Sequence, residues 1–389
     1  METIMPHTPI KEYELKQHSP IIHFQYDQHN ATLRATDLKP RLDASIGNTD
    51  HKKRYQIRLI AKGNYKQENH PLYFGNMSKD KTQINKKQCI RVRGKLLLQI
   101  NTFFNRSLQH EIEGTLPECL ALNNFGARQS KGFGSFYFAK GFDPNEFNPI
   151  EHIENVFAGT DHPVYYFDVP TQSDSSQENL DNVTFDYIQA LYKAMKPGVN
   201  EEYNPQIKNK YLKSLLWQYC FEKYGHLNWE KRMMKRMLIK KPISKKEPNL
   251  YIRGLLGLAS TFWFKRTRYD ARMDKDYSDH NIFNLNRDET FTVKNDQIAR
   301  FESPITFKPV NNRVYIILRQ DKYKHDHIDI QGQTFTFSNS GGKFDLKVPD
   351  SFVLDDFMNF VCNKVNKNDF GTFNGSTANI LKRMQISKL

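Results

Sequence analysis

The decapeptide Gly126-Ala127-Arg128-Gln129-Ser130-Lys131-Gly132-Phe133-Gly134-Ser135 places three glycines and two cations directly ahead of an aromatic run, Phe136-Tyr137-Phe138. Glycine has no Cβ, so it accepts positive φ and lets backbone lie flush against another surface. Successive N–H groups in such a loop also form a concavity suited to an anion. A nucleotide-binding P-loop needs Gly, four residues, then Gly-Lys-Ser/Thr opening a helix. Here the order is Lys131-Gly132, and Ser135, Tyr137 and Ala139 alternate with Phe136 and Phe138 as in a strand. The loop therefore reads as an element that captures a backbone, with a glycine-rich turn carrying two solvated cations as the plainer reading.

A chain of 389 residues is long enough for two domains, each burying its own core. Cys89, Cys119, Cys220 and Cys362 lie far apart, without a C-x-x-C pair or a partnering histidine spacing, which argues against a zinc knuckle and a disulfide framework. Residues Met1 to Lys16 hold no apolar signal core, and the stretch Leu250 to Phe264 is interrupted by Arg253 and too short to span a bilayer. A soluble protein of the reducing cytoplasm is expected, with no cofactor and no membrane partner. The net charge of +14 makes a polyanionic partner the leading class, with an anionic membrane surface as the minor alternative.

Tyr13, Leu15 and Gln17 alternate as in a strand that runs into Ser19-Pro20-Ile21. Leu38, Leu42 and Ile46 then recur at helical spacing, with Asp37 as the expected cap, Pro40 in the first turn and Gly47 as the stop. Strands are expected over 55–60 and 91–104, and Thr115 with Glu118 reads as a capping box opening a short helix. With the Phe136 strand the order is β-α-β-β-α-β, the ferredoxin-like arrangement shared with RNA-recognition domains. Residues 171–182 are polar and without period, as in a linker, and a helix follows from the Asn204 cap and Pro205 to Gly225.

The second half repeats the theme. Ser303-Pro304-Ile305 echoes Ser19-Pro20-Ile21, and Asn311-Asn312 separates it from an alternating strand, Val314, Ile316 and Leu318. A strand carrying Phe335 and Phe337 follows, then a helix over Val353–Val365 behind Ser351. The expectation is an α+β protein of two ferredoxin-like modules, 1–168 and 250–389, with a linker and helical insertion over 169–249.

Between Lys231 and Lys246 eight basic residues stand without an acid, and Arg253, Lys265, Arg266, Arg268 and Arg272 extend the run beside Phe262, Trp263 and Phe264. Charge runs are commonly solvated faces, yet one this one-sided matches the footprint that phosphate backbones select. About six such cations on a single strand imply roughly 300-fold weaker binding for a fourfold rise in salt. Lys235, Arg236, Arg253 and Arg266 are candidate RNA contacts. Signals for catalysis are poor. His18, His23 and His29 form the nearest constellation, since an imidazole beside a ribose can act as general acid or base toward a 2′-hydroxyl. Scattered histidines are more often ordinary sheet or surface residues.

The Gly126–Ser135 segment at the end of such a module resembles the glycine-rich loop of the RAMP superfamily, the RNA-binding proteins of CRISPR–Cas systems. Leu33-Arg34-Ala35-Thr36, followed by the Lys39-bearing helix, and Arg300-Phe301-Glu302-Ser303-Pro304 resemble segments that mark the first Cmr subunit of type III-B effector complexes. Pro40 inside the first helix departs from that pattern. The resemblance implies a non-catalytic subunit that contacts the 3′ part of the CRISPR RNA, target RNA and neighbouring RAMP subunits. It also implies that Arg34, Lys39, Arg41, Arg128 and Lys131 line the RNA groove, with Gly126, Gly132, Gly134 and Ser135 in the contacting loop. The alternative is a metal-independent endoribonuclease that processes precursor CRISPR RNA through a histidine such as His29.

Overall fold

The computed structural model describes residues 9–25, 28, 31–50, 52–68, 89–140, 147–171, 176–200, 211–238, 240, 247–264, 288–325, 328–370, 373 and 375–389. The chain opens with β1 (Ile10–Gln17), α1 (Ala35–Ser45), β2 (Gln56–Glu68), β3 (Cys89–Asn101), α2 (Arg106–Leu122) and β4 (Phe136–Phe138). The four strands form one antiparallel sheet in the order β2-β3-β1-β4. Tyr13 pairs with Leu98, and Leu15 with both Leu96 and Phe138, so alternation sends these side chains to one face. There they join Leu38 and Leu42 of α1 and Ile112, Leu116 and Leu120 of α2 in a buried cluster.

Two helix starts differ from the sequence reading. α1 begins behind Arg34, which occupies the N-cap position; Asp37, the expected cap, instead pairs with the Arg34 guanidinium at 2.6 Å. Pro40 consequently lies inside the helix. α2 begins at Arg106, where the Asn105 side chain accepts a hydrogen bond from the Leu108 N–H at 3.0 Å. Thr115, the expected cap of a shorter helix, sits mid-helix and donates its hydroxyl to the Glu111 carbonyl at 2.8 Å, a back-bond open to threonine in a helix interior.

Downstream come α3 (Pro149–Ala158), β5 (Val164–Asp168), α4 (Gln177–Met195), α5 (Leu215–Tyr224), α6 (Glu230–Leu238), β6 (Thr261–Phe264), β7 (Glu289–Lys294), β8 (Ile305–Val310) and β9 (Arg313–Leu318). β10 (Thr334–Asn339), β11 (Gly342–Lys347), α7 (Leu354–Asn366), α8 (Ser376–Arg383) and β12 (Ser387–Lys388) complete the labelled elements. β5, β8, β9 and β12 form a second antiparallel sheet in the order β8-β9-β5-β12. In each sheet the first strand is inner, flanked by the third and the fourth. β6, β7, β10 and β11, with the short strands Asn228–Trp229 and Asn249–Leu250, make a six-stranded sheet. Its Phe291, Phe335 and Phe337 share one core with Leu191 of α4, Ile316 of β9 and Phe357 of α7. The architecture is mixed α+β.

Three boundaries move. β5 pairs with β9 and not with the first sheet, so the expected division at 168 separated it from partners at least 145 positions away. The expected linker over 171–182 includes the first turns of α4, which opens behind Ser176 as its side chain accepts from the Asn179 N–H at 3.4 Å. The helix expected from Asn204 begins only at Leu215, capped by Ser214, and ends at Gly225 with φ 74°. Its expected start, 204–210, lies outside the described residues.

The two four-stranded sheets are tied by buried polar groups. Lys308 of β8 is fully buried, and its ammonium donates to the carbonyls of Asn123 at 2.8 Å and Phe136 at 3.0 Å. Burial pushes its pKa down to about 7. Arg91 of β3 forms a buried ion pair with Asp181 of α4.

Candidate nucleic-acid interface

The glycine loop lies at this junction. Gly134 has φ 72°, and a Cβ there would sit 1.9 Å from the Phe125 carbonyl oxygen; at Gly126, φ 79°, it would sit 2.6 Å from the Ile22 carbonyl oxygen. Glycine is therefore demanded by the chain's own backbone at both positions. Gly132 approaches Ile188 of α4, and the buried Ser135 donates its hydroxyl to the Pro309 carbonyl at 2.6 Å. Internal packing at Gly132 and Ser135 docks the loop onto β8 and α4.

The docking decides where the loop cations go. Lys131 places its ammonium 2.9 Å from the centre of the Tyr192 ring, and burial holds its pKa well below the usual lysine range. Arg128, at φ 59°, projects beside it, half-buried, with its pKa lowered to about 10 by desolvation. Both line a cleft of about 510 Å³ walled by the end of α4, the turn after Tyr251 and strand β6.

Lys196 and Arg253 also line the cleft. Lys196 donates to the carbonyls of Leu256 at 2.8 Å and Gly257 at 2.7 Å. Burial, then repulsion from Arg253, brings its pKa down to about 7. The Arg253 Nε lies 3.2 Å from the carboxylate of Glu230, which is fully buried and whose pKa burial raises. The next residue, Lys231, is also pushed down to about 7, by burial and then by Arg253 and Lys235. Arg253, Lys196 and Lys231 thus share the field of one buried carboxylate, Glu230, while Lys131 is repelled by Lys196 and Arg128; that repulsion is what an incoming anion would relieve. Tyr192, Phe262 and Trp263 supply aromatic surface over the buried Tyr251, with Trp263 41% exposed on the β6 edge.

The other sequence candidates lie elsewhere. Arg34 pairs with Asp37 and lies 4.6 Å over the Phe24 ring, which stacks on His23; Lys39 pairs with Asp43 at 3.3 Å and lies 3.6 Å over Tyr55. Arg41 reaches back to the loop through Gln129 at 3.0 Å. These form a second basic group at α1, and among the described residues Arg41 links it to the glycine loop through Gln129. Lys235 and Arg236 belong to α6, on the Lys231 side. Arg266 and His29 fall outside the described residues.

His18 is buried, its Nδ1 accepts from the Asn311 N–H at 3.0 Å, and burial holds its pKa far down, so it is a neutral structural residue. His23 likewise accepts from the Gln25 N–H at 3.1 Å. Among the described residues no His, Cys, Asp or Glu cluster is placed to hold a metal, and no helix is long and apolar enough to cross a membrane. Sequence reasoning missed Tyr192, Lys196 and Tyr251. Lys196-Pro197-Gly198, a cation at a helix end fixed by a turn, was the available signal for the second.

Fold and cleft together define a mixed α+β protein with a basic, aromatic-lined cleft beside the junction of its sheets. The Cmr1 N-terminal domain model matches residues 10–69 and 50–199, and the Cmr1 C-terminal domain model matches 211–384. The chain belongs to the Cmr1 family. Among solved structures it is similar to the apo crystal structure of Cmr1 from Pyrococcus furiosus, with 13% identity, 97% of this chain and 98% of that chain covered, and a TM-score of 0.37. A cryo-EM structure of the type III-B Cmr-beta bound to cognate target RNA matches at 10% identity, 90% and 99% coverage, and a TM-score of 0.34. No curated protein matches the chain.

Proposed function

We propose that this chain is a non-catalytic, RNA-binding subunit of a type III-B CRISPR interference complex, contacting the 3′ part of the CRISPR RNA and target RNA beside other RAMP subunits. Membership of the Cmr1 family supports the assembly. The shared strand order of the two four-stranded sheets supports reading each as a ferredoxin-like module. The observation that carries the RNA reading is the cleft: Arg128, Lys131, Lys196 and Arg253 line one opening together with Trp263. Guanidinium and ammonium groups take phosphate oxygens, while an exposed indole offers a face on which any base can stack. No histidine among the described residues lines the cleft, so the cleft itself offers no imidazole to a 2′-hydroxyl.

If Arg128, Lys196, Lys231 and Arg253 each meet a phosphate of a single strand, the salt slope is about −2.8, or roughly 50-fold weaker binding for a fourfold rise in salt. Fluorescence anisotropy of labelled single-stranded RNA with the isolated protein measures this. Arg128→Glu with Arg253→Glu should weaken binding at least about 100-fold. A double variant that binds as tightly as wild type, or a wild type insensitive to salt, refutes the reading.

A further inference from the structure

A second pocket, of about 410 Å³, opens on the first sheet at the other end of β1 from the glycine loop. β4 pairs only with Leu15–Gln17, so the chain leaves β1 beside Glu14 and exposes a recess between Phe138, α2 and α3. Tyr13, Leu97, Phe138, Phe147 and His152 line it, and Glu12, Glu14 and Glu113 stand at its rim with Lys140. The chain carries +14 overall, yet here three carboxylates stand beside no more than an equal number of lysines, Lys11, Lys95 and Lys140.

Glu12 accepts from the Gln99 amide at 2.8 Å and Glu113 from the Gln109 amide at 3.0 Å, while the lysine partners of Glu14 and Glu113 are exposed. Lys140 lies 3.5 Å and Lys95 3.9 Å from Glu14, and Lys11 lies 3.2 Å from Glu113. The three lysines are 51%, 62% and 42% exposed, so each is a solvated point charge that a better-fitting cation can displace. A guanidinium is that cation, since it binds carboxylates bidentately and lays its plane on aromatic rings while its stem fills apolar space.

Apolar surface continues from the same end of the sheet. Ile10 shares a face of β1 with Glu12 and pairs with Asn101, and the chain then turns through Phe103 and Phe104. These three are 45%, 52% and 67% exposed, and both phenylalanines have positive φ, 50° and 66°. Positive φ is costly for a bulky side chain. Two strained, outward aromatics beside an acid-rimmed recess match the anatomy of a protein interface, an apolar patch next to a pocket for an anchoring side chain.

We infer that the Glu12–Glu14–Glu113 pocket, with Ile10, Phe103 and Phe104 beside it, is the docking surface for a neighbouring protein subunit that inserts an arginine from an apolar patch. The site is separate from the RNA cleft and does not depend on RNA being bound there. The test places a photo-reactive benzoylphenylalanine at Phe104 in the complex co-expressed with the subunits encoded beside this chain. A cross-link to an arginine-bearing peptide of another protein is expected. A cross-link to RNA or to a second copy of this chain, or no cross-link in the assembled complex, overturns the inference.

A second arm uses Glu14→Lys with Glu113→Lys. Incorporation into the complex should fall about 30-fold or more, the scale of a lost interface anchor, while the isolated variant keeps wild-type melting and RNA affinity. Undiminished incorporation overturns the inference, and the RNA affinity of the wild type reports on the cleft separately.

Discussion

Because Lys196 titrates near neutrality when the cleft is empty, RNA affinity should depend on pH in a window where RNA phosphates and arginines do not titrate. Free Lys196 has a pKa of about 7, set by burial and by Arg253 and opposed by Glu230. Lys131 and Arg128 line the same cleft, and both are themselves desolvated cations. A bound phosphate favours the charged ammonium and raises its pKa, so binding takes up a proton above pH 7 and affinity falls as pH rises. Between pH 7 and 9 free Lys196 goes from about half to about one per cent charged. If the bound form stays charged, Kd rises by roughly 50-fold from this residue alone. Lys231, also near 7, steepens the dependence if it contacts RNA. Anisotropy titrations at constant ionic strength across pH 6 to 9 measure it. Lys196→Arg keeps the charge and should flatten the curve while preserving binding at pH 7. A flat wild-type profile, or the same slope in Lys196→Arg, refutes the assignment of Lys196 to the interface.

Two further predictions concern the junction that builds the cleft. Lys308 has a folded pKa of about 7, below its ordinary value of about 10.4, so the unfolded chain binds more protons between those limits and stability rises with pH there. From pH 7 to 9 the Lys308 share of that rise is about 2 kcal/mol, and Lys308→Met should lack it when urea unfolding is compared at the two pH values; equal pH responses would contradict the buried charge. Gly134→Ala forces a Cβ onto the Phe125 carbonyl and should cost about 3 kcal/mol. Gly47→Ala, at φ 63° with nothing within 4 Å, should cost only about 1 kcal/mol by thermal or urea melting, and similar losses at both would remove the packing argument.

What the sequence disclosed was local order. Alternation in β1 and β4, the Leu38-Leu42 spacing of α1 and the Asn311-Asn312 hairpin between β8 and β9 are all short-range patterns, and each appears in the structure. The errors came where local rules had two solutions. Thr115 and Glu118 mimic a helix start, yet Asn105 caps the helix earlier and Thr115 satisfies its hydroxyl on Glu111. The polar start of α4 looked like a linker because the first turn of a helix favours the same residues as a loop.

The pairing of β5 with β9 was invisible, since no residue near 164 specifies a partner far along the chain. The same holds at the site. The loop cations Arg128 and Lys131 and the later Arg253 were visible as charges, but only folding shows that Lys131 docks on Tyr192 and that Lys196 joins Arg128 in lining the cleft.

Ultraviolet cross-linking of the wild-type protein to single-stranded RNA, followed by mass spectrometry of the linked peptides, locates the nucleic acid directly. The cleft predicts linked peptides carrying Tyr192 or the Phe262–Trp263 pair, reduced when unlabelled RNA competes and when Arg128 and Arg253 are reversed. Cross-links confined to residues outside the cleft, or insensitive to those reversals, would contradict the placement of RNA between the glycine loop and β6.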